Sequence, residues 1–141
     1  MFLPLLCSSY HLNYHEIICY HDSVKDLVEK KFIEKMKESS HDNIQFTQLN
    51  NETIIHYTGK KFGYDYDATY NIYQDKQACH LYNNQECFQI KYKNRFLENF
   101  ISLHRINASE IKIMIDLETY VPIPKRILCE IIKNKLNSIR P

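Results

Sequence analysis

The chain has 141 residues, a size that fits one domain over residues 1–141. Hydrophobic residues make up 44% and charged residues 25%, an ordinary globular balance that excludes wholesale disorder. Eighteen Lys and Arg against seventeen Asp and Glu leave a net charge of +1, so no nucleic-acid partner is expected: such binders draw affinity from surplus positive charge on phosphates. The two glycines are too few for a loop that cradles phosphate with its backbone. Abundant Ile, Lys, Asn and Tyr, with only three Ala, are what AT-rich codons produce.

In chain order, Met1-Phe2-Leu3-Pro4-Leu5-Leu6-Cys7 is apolar, but it is short, lacks a basic start and is interrupted by proline, so it does not read as a secretory signal. No stretch reaches the ~18 apolar residues of a membrane span, and a soluble protein is expected. Leu12, Tyr14, Ile18 and Tyr20 alternate through a first strand over 11–21. The period then changes: Val24, Leu27, Val28, Phe32 and Met36 predict an amphipathic helix of about four turns. Ser23 and Asp26 have the spacing of a capping box at its start, and the cluster from Ser39 to Asn43 ends it.

From Ile44 to Leu117 period two dominates. Ile44 and Phe46 precede an Asn50-Asn51 turn; Thr53, Ile55 and Tyr57 follow, with a break expected over 59–63. The clearest strand puts Phe62, Tyr64, Tyr66, Ala68, Tyr70 and Ile72 on one face and Asp65, Asp67, Thr69 and Asn71 on a wet one. Cys79 and Leu81 lead to an Asn83-Asn84 turn, before Phe88, Ile90 and Tyr92. A ragged strand over 100–106 precedes a clean one carrying Ile111, Ile113, Ile115 and Leu117. Short connections imply antiparallel pairing. Pro122 and Pro124 stop the last strand, and Pro124 suits the first turn of a final helix. That helix carries an apolar stripe of Ile127, Leu128, Ile131, Ile132, Leu136 and Ile139. Lys125, Arg126, Lys133, Lys135 and Arg140 form the one basic cluster, read as a solvated face or a weak contact with lipid or RNA. The fold class expected is α+β: a curved antiparallel sheet of about six to seven strands packed on a long C-terminal helix, with one helix after the first strand.

Chemical motifs are sparse. His11, His15 and Cys19 have helical metal-ligand spacing, but on a strand each four-residue step spans ~13 Å, so no metal site is expected. Cys79, His80 and Cys87 are scattered and lack a group to orient a base. The five cysteines, Cys7, Cys19, Cys79, Cys87 and Cys129, are odd in number with no Cys-x-x-Cys, and are read as reduced thiols, several of them buried. Asp65 and Asp67 share a face about 7 Å apart, either as an acid–base pair or, beside Lys60 and Lys61, as solubilising charge. Tyr64, Tyr66 and Tyr70 read either as an ordinary aromatic core or as the lining of a ligand cavity beneath the last helix.

The sequence Ile111 to Leu117, then Val121-Pro122-Ile123-Pro124 and the helix 125–139, resembles the end of an uncharacterised cyanobacterial and plastid family. That family lies within the START and polyketide-cyclase (SRPBCC) superfamily, and Asn94-Arg95-Phe96 falls where it carries a similar polar-aromatic stretch. The resemblance implies the helix-grip fold and a non-enzymatic module binding an apolar, lipid- or pigment-like small molecule without a cofactor. It also implies an organelle-encoded plastid protein, the alternative being a cytoplasmic one. The cavity would be lined by Tyr64, Tyr66, Tyr70, Phe88, Ile113, Ile127 and Ile131. The alternative function is an interaction or assembly protein that docks a macromolecule through its sheet or basic helix.

Overall fold

The computed structural model describes residues 11–38, 43–61, 63–83 and 85–140. Phe62, Cys7 and the rest of the N-terminal stretch, the residues 39–42 assigned to the end of the first helix, and Asn84 of the Asn83-Asn84 turn lie outside them. Among the described residues seven strands, β1 (His11–Cys19), β2 (Asn43–Leu49), β3 (Glu52–Lys61), β4 (Tyr64–Tyr73), β5 (Cys87–Asn94), β6 (Leu97–Asn107) and β7 (Glu110–Thr119), form one antiparallel sheet. Its order is β1-β7-β6-β5-β4-β3-β2. With β1 and β2 at opposite edges, the chain must cross the sheet between them, and the first helix makes that crossing. The C-terminal helix, Lys125–Ile139, closes over the same face, which is the helix-grip arrangement.

The first helix opens as expected at its N-cap. Ser23 Oγ accepts from the backbone N–H of Asp26 at 3.1 Å. The reciprocal half of the capping box does not form, because the Asp26 carboxylate accepts from Tyr20 at 2.5 Å and pairs with Lys30 at 3.4 Å. After an α-helical turn, Val24–Val28, the helix widens into a π-helical stretch, Glu29–Glu34, and ends in Lys35–Lys37. Buried Phe32 lies within the π stretch.

Two connections differ from the sequence reading. β3 runs through Gly59 to Lys61, so the chain turns only around Gly63, whose φ of +81° is a glycine conformation. The segment between β4 and β5 is a loop rather than strand, and Leu81 on it is exposed. The expected turn at Asn50-Asn51 is present, with Asn50 at φ +50°. The ragged stretch over 100–106 is part of a full strand, β6, with a register shift between Arg105 and Asn107. Arg105 ties the surrounding loops together: it pairs with Glu86 and donates to the carbonyls of Tyr20, at 2.9 Å, and Asp22.

The reading of every cysteine as a reduced thiol is corrected. Cys79 and Cys87 form a disulfide: the β4–β5 loop turns back on itself and brings their Cα atoms to 5.7 Å. Cys19 and Cys129 are free and exposed, so neither is a buried thiol.

The last helix buries a narrower stripe than expected. Leu128, Ile132, Leu136 and Ile139 face the sheet, whereas Ile131 is half-buried and Ile127 is 43% exposed. Pro124 is its N-cap, one position outside the first turn, and its carbonyl accepts from the N–H groups of Ile127 and Leu128. At the far end Arg140 pairs with Glu16 of β1, its Nε donating at 2.9 Å, and Lys31 of the first helix donates to the Arg140 carbonyl at 3.1 Å. The helix is thereby pinned to a sheet edge and to the first helix. Among the described residues, no helix is long and apolar enough to cross a membrane.

Candidate functional site

The strand registers arrange the inward side chains in rungs across the sheet. One rung reads Ile55, Tyr70, Tyr92, Asn99, Leu117, Leu12. The next, toward the β5–β6 turn, places Tyr57 beside Ala68 and Asn94, and Leu97 beside Thr119. On the other side the rungs turn aliphatic: Ile72, Ile90, Ile101 and Ile115, then Phe88, Leu103 and Ile113.

The tyrosines gather where the C-terminal helix passes over the two polar rungs. The rings of Tyr70 and Tyr92 lie 4.9 Å apart between centroids, Tyr57 stacks on Tyr70 at 6.2 Å, and Tyr66 meets the edge of Tyr57 at 6.1 Å. Phe32 of the first helix completes the group, edge-on to Tyr70 at 6.4 Å. Tyr66 reaches this position by leaning over its register partner Gly59: a Cβ there would stand 2.3 Å from the Tyr66 hydroxyl oxygen.

Lys135 caps the cluster. Its Nζ donates to the Tyr70 hydroxyl at 3.0 Å and lies 5.3–5.9 Å from the ring centres of Tyr70, Tyr92 and Phe32, within cation–π range. Beneath it, Asn94 Nδ2 donates to the Tyr92 hydroxyl at 3.1 Å, while Asn94 Oδ1 closes the β5–β6 turn by accepting from the N–H groups of Phe96 and Leu97. Burial, reinforced by a hydrogen bond with Tyr92, raises the Tyr57 hydroxyl well above the ordinary phenol range, so it stays neutral at every physiological pH. In the same rung as Tyr92, Asn99 is 1% exposed, and its Oδ1 is buried without a hydrogen-bond partner.

Where the first helix meets the β2–β3 and β4–β5 connections, a cleft of about 920 Å³ opens onto the same inner face. Val28, Ile33, Ile72 and Phe88 form its apolar part, and its rim is polar, including Gln48, Gln74 and Gln85.

Of the seven residues expected to line a cavity, Tyr66 and Tyr70 join the aromatic cluster, Phe88 lines the cleft and Ile113 is fully buried among the aliphatic rungs. Ile131 packs at the margin of the core. Tyr64 and Ile127 do not belong: Tyr64, at the start of β4, is 74% exposed, and Ile127 faces outward from its helix. Lys135 corrects the reading of the basic cluster as a solvated face, since it turns onto the tyrosines, and Arg140 is held by Glu16. Lys125, Arg126 and Lys133 are exposed.

Sequence reasoning missed Lys135 and Asn99 as parts of the site. Asn99 interrupts an otherwise apolar alternation of Leu97, Ile101 and Leu103, and Lys135 falls between Ile132 and Leu136 on the buried stripe; both departures were available as signals. Asp65 and Asp67 lie on the outer face, beside Lys60 at 3.9 Å and His56 at 2.8 Å, as solubilising charge. Among the described residues no group of three or more His, Cys, Asp and Glu side chains is placed to hold a metal ion.

Solved structures share this architecture. Ara h 8.0201 superposes with a TM-score of 0.57 at 11% identity, over 92% of this chain and 93% of that one. Protein TTHA0849 from Thermus thermophilus gives 0.53 at 9% identity, over 92% and 91%. The Zhui aromatase/cyclase from Streptomyces sp. R1128 gives 0.52 at 7%, over 94% and 92%. No protein-family model matches the chain, and no curated protein matches it in sequence. The likeness is therefore one of fold: the chain has the helix-grip fold of the Bet v 1 and START-like (SRPBCC) proteins.

Proposed function

We propose that the protein is a binding module for an apolar, lipid- or pigment-like small molecule with a polar tip, seated between the tyrosine rungs and the C-terminal helix and without a reaction of its own. One observation carries this reading: Lys135 and a group of phenols are turned onto an inner face that aliphatic side chains fill elsewhere. Buried polar groups cost stability unless each is partnered, so an all-aliphatic core would be the cheaper way to close this sheet. Two further features support it. The 920 Å³ cleft at the first helix falls in the volume range of small-molecule pockets, and structures of the same fold include an aromatase/cyclase, whose name implies an aromatic small molecule.

Native mass spectrometry of the full chain, with a parallel titration of 8-anilinonaphthalene-1-sulfonate, tests the proposal. A co-purifying small-molecule mass, or saturable one-to-one dye binding weakened by Tyr70→Phe, is the expected result. Absence of both would overturn the binding reading. A bound mass that changes chemically on incubation would make the protein an enzyme instead.

A further inference from the structure

The two edges of the sheet are finished differently. At one edge β1 carries His11, His15 and Glu16, and the end of the last helix is fastened there by Arg140 pairing with Glu16. At the other edge, among the described residues, β2 is hydrogen-bonded to β3 alone, and Asn43–Leu49 holds no charge, proline or glycine. Its register runs unbroken from Asn43 opposite Thr58 to Leu49 opposite Glu52, so no bulge turns the edge aside. Charges, prolines and bulges keep an open edge from recruiting another strand, and β2 has none of them. The strand also keeps apolar surface on both sides. Phe46, on the inner side beyond Ile55, is 40% exposed, and Leu49, on the outer side, is 54% exposed.

The backbone N–H and C=O groups along such an edge are completed only by another extended strand. That strand must itself be open along one side and must bring no charge to face Ile44 or Phe46. The β2 of a second copy meets each condition. We propose that β2 is a self-association edge, joining two copies of the chain antiparallel about a two-fold axis through Phe46. This axis sets Asn43 opposite Leu49, Ile44 opposite Gln48 and Gln45 opposite Thr47, so all seven residues of β2 find a partner. Side chains opposite one another in an antiparallel pair share a face, so the inner faces of the two sheets become continuous. Phe46 meets its own counterpart at a Cβ separation of about 5 Å, an aromatic pair that covers its exposed ring. Each copy also brings Lys37, whose Nζ lies 5.7 Å from the Phe46 ring centre, toward the axis. The strip is narrow, so the dimer is a weak one, with a Kd of about 1–100 µM.

Sedimentation equilibrium of the full chain, across concentrations bracketing that value, tests the proposal. A monomer–dimer equilibrium is expected, tightened by added salt because the two Lys37 charges are then screened from each other. Hydrogen exchange should show β2 amides, but not β1 amides, gaining protection as concentration rises. Gln45→Lys with Thr47→Lys changes two exposed side chains and sets like charges opposite each other twice across the axis, weakening the dimer about tenfold. Mixing that variant with Gln45→Glu, Thr47→Glu should restore association. A chain that stays monomeric throughout the range overturns the proposal. So does a dimer that salt dissolves or that the lysine pair leaves unchanged, since either is held elsewhere. Growth beyond the dimer also overturns it, because pairing of β2 with β1 repeats without closing. Salt dependence and exchange are read on the wild-type protein, so the test survives a failure of either variant to fold.

Discussion

The two ends of the sheet's inner face are built on different principles. Toward Phe88, Leu103 and Ile113 the rungs are almost purely aliphatic, and Ile90, Leu103, Ile111 and Ile113 are fully buried. Toward the β5–β6 turn the same strands present Tyr57, Tyr66, Tyr70, Tyr92, Asn94, Asn99 and Thr119. The first end is held by close packing, which has no directional requirement. The second is held by oriented groups, each needing a particular neighbour. One strand, β6, passes from one regime to the other between Asn99 and Ile101. Stability and recognition are thus divided along the length of the strands rather than between separate elements.

That division is testable by matched substitutions. Leu103→Ala, at the aliphatic end, should cost about 2–5 kcal/mol in urea unfolding, because the fully buried site leaves a cavity it cannot close. Tyr70→Phe, at the polar end, removes one hydroxyl and should cost only about 1 kcal/mol while weakening ligand binding. Equal losses from the two would erase the distinction.

The disulfide gives an intermediate effect. It ties the β4–β5 loop to the start of β5, next to Phe88 and hence to the aliphatic end. A cross-link over eight residues restricts the unfolded chain by roughly 2–3 kcal/mol on the loop-entropy account. The double variant Cys79→Ser, Cys87→Ser should lose about that much in unfolding free energy. Because Cys79 also lines the 920 Å³ cleft, the loss should be accompanied by faster ligand exchange in stopped-flow measurements, with little change in the tyrosine signals of the polar end.

Gly59→Ala reverses the pattern. A strand gains about 0.5–1 kcal/mol of backbone preference when Ala replaces Gly, which offsets part of the cost of moving the Tyr66 ring off the new methyl group. Net stability should therefore change by less than about 1 kcal/mol, yet the Tyr66–Tyr57 edge contact must open. Near-ultraviolet circular dichroism should record altered tyrosine bands. Unchanged bands would mean that the close approach of Tyr66 to Gly59 has no bearing on how the cluster is packed.

How much of this the sequence disclosed follows the same division. Aliphatic alternation in β7 and the periodic stripe of the last helix were legible because burial of Ile and Leu is a property of the pattern itself. The layout of strand, helix, sheet and helix followed from it. The polar end was half legible: Tyr66 and Tyr70 share a phase, but which tyrosines meet depends on register between strands, and register sets Tyr92 rather than Tyr64 beside Tyr70. Lys135 was misjudged because charge on a helix predicts solvent, and only a tertiary partner such as the Tyr70 hydroxyl overrides that rule. The disulfide was hidden for a similar reason, since a loop taken for strand would have kept Cys79 and Cys87 apart.

The smallest expected effect concerns pH, and it also separates the two ends. On the outer side of β6, one residue beyond Leu103, His104 is covered by the Tyr82 ring at 4.7 Å and stands opposite Lys112 of β7. Burial, and then the charge of Lys112, hold its pKa below the ordinary 6.5. The unfolded chain therefore takes up a proton before the folded one does as the solution is acidified. Stability from this group is complete above about pH 6.5 and declines as the pH falls from there toward the lower folded value. The phenol of Tyr57, raised rather than lowered, titrates far above this window and adds no slope to it. Urea midpoints measured between pH 7.5 and 5 should fall for the wild-type protein and fall less for His104→Gln, and Tyr57→Phe should leave the slope as it is. A slope that survives His104→Gln but disappears with Tyr57→Phe would place the acid-sensitive group at the polar end and dissolve the separation of roles between the two halves of the sheet.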